Sequence, residues 1–135
     1  MAITNELKAT AELVEFTVLR LQSSPEWTTY LLGEKQAEQI PELFPALRLP
    51  AAVVAIREAD FGNEPLRCQA IDVILCVDGE ALWASAKLLP LADKVSALLS
   101  GAVCGDSYFR IQYTKPILVD LSLQALQMRF VISDF

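Results

Sequence analysis

The stretch from Arg67 to Gly101 constrains the fold more than any other part of the chain, because it predicts one strand that runs straight into one helix. Apolar residues occupy both faces of 67–77, which is typical of an interior strand. Asp78 and Gly79 end the strand, and the Asp78 carboxylate is suited to accept from the free amides of the following helix. Gly101 stands where a helix favours a left-handed C-terminal residue. We therefore expect the other elements to pack around this strand-to-helix unit.

The N-terminal part of the chain predicts a helix followed by an irregular connection. Apolar residues recur at helical spacing between Thr4 and Ser24, and Pro25 then ends the helix. Residues 25–49 predict an irregular connection with one or two short helices, the first around Tyr30, because a glycine and several prolines interrupt them. A connection of this length often belongs to a contact surface, although a simple packed crossover is the alternative.

Alternation of apolar and polar residues predicts four strands. They cover 50–61, 67–77, 108–115 and 123–135, and a turn at 62–65 joins the first two in an antiparallel hairpin. The resulting order, α-β-β-α-β-β, predicts an α+β domain. Its four-stranded sheet would be antiparallel or mixed, with the helices packed on one face.

Length and composition predict one domain over 1–135 that contacts other subunits. The chain has 135 residues, enough for a core of its own. Apolar residues make up 53% of it and the mean hydropathy is +0.37. No window holds the ~18 uncharged apolar residues of a membrane span, so the leftover apolar surface suggests subunit contacts. A net charge of −6 disfavours non-specific binding to nucleic acid or to an anionic membrane.

Residue types argue against a metal or cofactor site. The chain has no histidine, no Cys-x-x-Cys pair and no glycine-rich phosphate motif, so the sequence predicts no cofactor and no metal. Its three cysteines, Cys68, Cys76 and Cys104, are predicted to be reduced and structural in a cytosolic protein. Their number is odd, no signal peptide is evident, and the first two lie too far apart along one strand to bond.

Two residues, Asp72 and Cys104, are compatible with catalysis, and one predicted turn is compatible with contact to a partner protein. Asp72 lies on an apolar strand, where a partly buried carboxyl can serve as a general acid. The alternative is that Asp72 lies near an edge, faces solvent or pairs with a cross-strand base such as Arg110. Cys104 lies in a glycine-flanked loop predicted over 104–107, but no histidine is present to activate a thiol. The candidate partner contact is the acidic tip of the predicted hairpin, for which a plain solvated turn is the alternative. Its residues are Glu58, Asp60, Asn63 and Glu64.

Three segments carry a resemblance to a known family: LPAAVVAIREADF (49–61), RCQAIDVILCVDGEALWASAKLLPLADKVSALLSG (67–101) and LQALQMRFVISDF (123–135). With the order of elements, they resemble the tail terminator, or tail completion, group of small tail proteins of tailed bacteriophages and prophages, including Mu-like types. Members have an N-terminal helix, a strand of proline followed by apolar residues, a strand-to-helix unit and a closing C-terminal strand. The resemblance covers roughly residues 5–135, apart from 22–49.

The resemblance implies a structural protein and not an enzyme. Such a protein forms a ring, commonly a hexamer, that caps the tail tube and offers a surface to the head–tail connector. Its implied partners are other copies of itself, the tail tube protein and the connector, without specific nucleic-acid binding or a membrane. It would act in the host cytoplasm during assembly and then remain in the virion tail. An acidic lumen would let DNA pass without binding.

Two other interpretations stay open at this point. One is a non-catalytic, cytosolic, oligomeric α+β domain with a binding or structural role. The other is a small enzyme that uses Asp72 or Cys104.

Overall fold

In a computed structural model, the residues described are 2–32, 47–56, 70–78, 81–105, 107–118 and 123–134. Two helices lie within these ranges, α1 (Ala2–Gln22) and α2 (Ala81–Leu99). The strands are β1 (Thr28–Leu32), β2 (Ala51–Ile56), β3 (Ala70–Asp78), β4 (Val103–Cys104), β5 (Ser107–Leu118) and β6 (Leu123–Asp134). Neither helix has the length and apolarity needed to cross a membrane.

The strands form one six-stranded mixed sheet in the order β1-β2-β3-β6-β5-β4, curled into a half-barrel. β1 runs parallel to β2, and every other neighbouring pair is antiparallel. The α+β character of the prediction is confirmed. The predicted four-stranded sheet and the order α-β-β-α-β-β are wrong, because strands form at two places where the sequence suggested a helical turn or a loop.

The two additional strands adopt an extended conformation because they pair with neighbouring strands. The segment around Tyr30, where a helical turn was expected, lies as β1 beside β2 over 28–32. Cys104, expected to open a loop, instead forms β4 together with Val103, and the two residues pair with Ser107 and Tyr108 respectively. Both strands are short, so little periodicity reveals them, and tertiary pairing decides their conformation.

Two prolines lie inside elements of the fold and are accommodated there. β5 continues through Pro116. Within the described residues, no strand lies on the outer side of β5 at this point, so the missing N–H of proline costs no hydrogen bond to an outer strand. α2 continues through Pro90, which is exposed. Gly101 follows the helix with φ 77°, the left-handed conformation that the sequence predicts for it.

Both helices pack on one face of the sheet and form the main core there. Alternate residues of β3, from Ile71 to Val77, enter this core together with Leu21 of α1 and Val95 of α2. Phe109 and Phe130 are the largest fully buried side chains in it. The interior position predicted for β3 is confirmed, since β2 and β6 flank it, and so is its antiparallel pairing with β2.

The opposite face of the sheet carries a second, smaller apolar cluster. Val53, Ile74 and Cys76 are buried in it, and Leu47 and Leu49 pack against them. The Arg48 backbone N–H donates to the Tyr30 hydroxyl at 2.9 Å, and this hydrogen bond holds residues 47–50 against β1. This second face is therefore covered at the β1–β2 end and holds the polar cluster described next.

Candidate functional site

The hairpin tip proposed as a partner contact lies outside the described residues. Glu58, Asp60, Asn63 and Glu64 all fall in the interval 57–69, as does Cys68. The structure does describe Asp72, Cys76 and Cys104, which were the candidates for chemistry or redox behaviour.

Asp72 lies on the face of the sheet opposite the helices and is 5% exposed. β3 places it directly across from Ala55 of β2 and Arg129 of β6. The small Ala55 side chain leaves the carboxylate free to turn towards β6. Its position follows from the strand period, because Ile71 and Val73 on either side point into the helix-side core.

A bidentate ion pair holds the Asp72 carboxylate. Arg129 Nε lies 2.7 Å from Oδ1 and its terminal nitrogen 2.9 Å from Oδ2, and Gln127 donates a third bond to Oδ2 at 2.9 Å. The Gln127 amide also reaches the Tyr113 hydroxyl at 3.4 Å, and the Arg129 guanidinium lies 5.0 Å from the centre of the Tyr113 ring. Paired, planar contacts of this kind fix orientation as well as charge.

This polar cluster is arranged to neutralise charge within the sheet. Both carboxylate oxygens of Asp72 accept from β6 side chains, and the Arg129 guanidinium balances their charge. The expected pairing of Asp72 with a cross-strand base is confirmed, but the base is Arg129 and not Arg110, the example that the sequence offered. Arg110 is exposed and donates to the Ser133 hydroxyl at 3.3 Å, because β6 and not β5 lies beside β3.

Neither described cysteine has the environment of a nucleophile. Burial raises the pKa of the Cys76 thiol to about 12, and its sulfur lies 3.9 Å from the Ile74 carbonyl oxygen. Partial burial and the nearby Glu12 carboxylate, in that order, raise the pKa of Cys104. A nucleophilic cysteine needs the opposite shift, since the thiolate is the reactive form.

Removal of the Glu12 charge should make Cys104 more reactive. In a Glu12→Gln variant, the pH dependence of iodoacetamide alkylation at Cys104 should move to lower pH, because one of the two causes of the raised pKa is gone. Alkylation is followed by mass spectrometry of the Cys104 peptide across pH 7–10. Glu15→Gln, also exposed on α1, is the matched control and should leave the profile unchanged. Identical profiles for Glu12→Gln and the parent protein would contradict this electrostatic account.

The outer side of β5 lacks a paired strand over most of its length, within the described residues. β4 pairs with β5 only at Ser107 and Tyr108, and two further hydrogen bonds, from Gly101 N to Phe109 O and from Phe109 N to Ala102 O, end the contact. Over 110–118 β6 pairs with the inner side of β5, and no described strand lies on its outer side. We call this segment the β5 edge.

The β5 edge differs in charge from the chain as a whole. It carries Arg110 and Lys115 and no acidic residue, whereas the net charge of the chain is −6. Ile111 is 40% exposed on it, and a depression of about 380 Å³ lies alongside, lined by Arg110, Ile111, Gln112 and Val131. A β-bulge interrupts the register between Ile111 and Tyr113.

The opposite edge of the sheet is formed by β1. Its one neighbour among the described strands is β2, and we call its outer side, over 28–32, the β1 edge. Leu31 on this edge is 51% exposed. The sheet therefore ends on each side in a strand with an exposed aliphatic residue, and sequence periodicity did not reveal either edge.

Within the described ranges, no three acidic, cysteine or histidine side chains come together as metal ligands would. Comparison with known proteins adds no assignment: no protein-family model matches the chain, and no curated protein matches it.

Proposed function

We propose that this chain is a phage or prophage tail assembly protein, a ring-forming tail terminator that caps the tail tube and joins it to the head connector. The observation that carries the proposal beyond the sequence resemblance is the pair of sheet edges. β1 and β5 leave opposite sides of one sheet accessible, within the described residues. A closed ring requires two different, complementary surfaces on each subunit, and two opposite edges supply them.

The chemistry of the polar cluster and the cysteines supports a structural role over an enzymatic one. Asp72 is bonded through both oxygens, and the pKa of Cys104 is raised. The alternative, a non-catalytic oligomeric α+β domain outside any phage particle, would use the same edges. It differs from the terminator in its partner, since only a terminator must bind the end of a tail tube.

Tail morphology tests the proposal directly. A phage or prophage that encodes this chain is deprived of the gene, and its tails are examined by negative-stain electron microscopy. We expect tubes of irregular length that carry no heads, and we expect plasmid-borne protein to restore joined particles. Purified protein should also cosediment with purified tail tubes. Joined tails of uniform length in the absence of the gene would overturn the proposal.

A further inference from the structure

We propose that neighbouring copies of this chain join edge to edge, with β1 of one copy added as an antiparallel strand to the 110–114 segment of β5 in the next. The inference rests on the proposed function for its closed ring. The joint itself is argued from strand direction, from the faces of exposed residues and from the length of usable edge.

Strand directions fix the pairing as antiparallel. β1 and β2 point the same way, β3 opposes them, β6 reverses again, and β5 opposes β6. β1 and β5 therefore run in opposite directions within one subunit. If copies are related by rotation about an axis roughly along the strands, β1 of one copy meets β5 of the next antiparallel, as in most pairs of this sheet.

The exposed aliphatic residues of the two edges lie on the same face. Leu31 pairs with Val54, and Ile111 pairs with Phe130; both partners belong to the helix-side core. Residues opposite one another in adjacent strands share a face. The joint would therefore place Leu31 against Ile111, and each would cover a side chain that the single subunit leaves 51% and 40% exposed, respectively.

The usable length of the β5 edge matches β1. Pro116 has no N–H to donate, and Lys115 places a charge beside it, so the edge is blunted beyond Thr114. The remaining segment, 110–114, has the same length as β1, which has 5 residues.

Local charge is compatible with a second copy as the occupant. β1 has the sequence TTYLL and carries no charged residue, so Arg110 and Lys115 of the β5 edge meet no like charge on the added strand. Because each copy has a net charge of −6, added salt should reduce the overall repulsion between copies and favour their association.

Cysteine cross-linking tests the joint. All native cysteines are first replaced by Ala, and Leu31→Cys is combined with Ile111→Cys. Under oxidation, in the presence and absence of purified tail tubes, we expect a ladder of covalent multimers with a peptide that links positions 31 and 111. Facing antiparallel residues are close enough for such a bond. Leu31→Cys combined with Leu89→Cys is the matched control, since Leu89 is 60% exposed but lies on α2, and it should give no ladder.

A charge at the joint provides a second readout. Ile111→Lys should weaken self-association by at least about tenfold in light scattering, because it removes one buried aliphatic contact. Leu89→Lys should leave association unchanged. Multimers without the 31–111 linkage, or no self-association with or without tubes, would overturn the joint. Linked multimers that ignore tail tubes would uphold the joint and overturn the proposed function instead.

Discussion

Arg129→Met is expected to lower the free energy of unfolding by about 3–5 kcal/mol, because it leaves the Asp72 carboxylate buried without its cation. Asp72 is 5% exposed and would retain one donor, the Gln127 amide. Met approximates the length of the Arg stem, so the loss reports on the charge and its hydrogen bonds more than on packing. Urea unfolding followed by circular dichroism measures the change.

The double variant Asp72→Leu/Arg129→Met measures the net contribution of the ion pair to the free energy of unfolding. The single variants measure instead the effect of leaving one partner buried without the other. A buried ion pair replaced by apolar residues of similar volume is often neutral in stability, so we expect the double variant to lie within about 1 kcal/mol of the parent. The two single variants and the double variant form a thermodynamic cycle. If Arg129→Met alone cost less than about 1 kcal/mol, water would have to reach the carboxylate, and the cluster would not be the sealed pair that the distances indicate.

Phe109→Ala should be similarly severe, with an expected loss of about 3–5 kcal/mol in the free energy of unfolding. Phe109 is fully buried in the helix-side core, and its ring centre lies 5.6 Å from that of Phe16 on α1. Truncation would open a cavity between the sheet and α1 while the backbone bonds of Phe109 to Gly101 and Ala102 remain available. A loss of this size would show that Phe109, which contacts α1 through Phe16, contributes strongly to the core.

Val103→Ala is the matched control for this prediction. Val103 lies on neighbouring β4 and is 51% exposed, so its truncation should cost less than about 0.5 kcal/mol. Both variants are compared by urea midpoint under identical conditions. Comparable losses in the two variants would contradict the assignment of Phe109 to the core.

Local signals in the sequence were sufficient for the elements whose own periodicity is strong. The alternation in β3 predicted an interior strand, and Gly101 predicted the left-handed end of α2; both are confirmed. β1 was missed because TTYLL is short and equally compatible with a helical turn. Its strand conformation comes from ladder bonds to β2, a partner that lies about twenty residues further along the chain.

The partner of Asp72 illustrates what periodicity cannot supply. Arg129 was visible on the polar side of the last strand, and so was Arg110 on its neighbour. The choice between them depends on whether β5 or β6 lies beside β3, and strand order is a property of the whole sheet. The sequence did contain a sign of the β5 edge, since Lys115 and Pro116 are residue types that prevent further strands from pairing with an exposed edge. The same residue types are also typical of the end of a strand, so the sign was ambiguous.

The position of β6 between β3 and β5 also has a consequence for how quickly the chain reaches its native state. The β3–β6 pairing joins the two sides of the sheet, and the residues of its central ion pair are 57 positions apart. The β5–β6 hairpin can form from near neighbours, whereas the middle of the sheet must wait for a long loop to close. Folding should therefore occur on the millisecond-to-second scale of topologies with many distant contacts. Until that closure, the edges of β3 and β6 stay exposed to other chains, so newly made protein is most prone to aggregate at this stage.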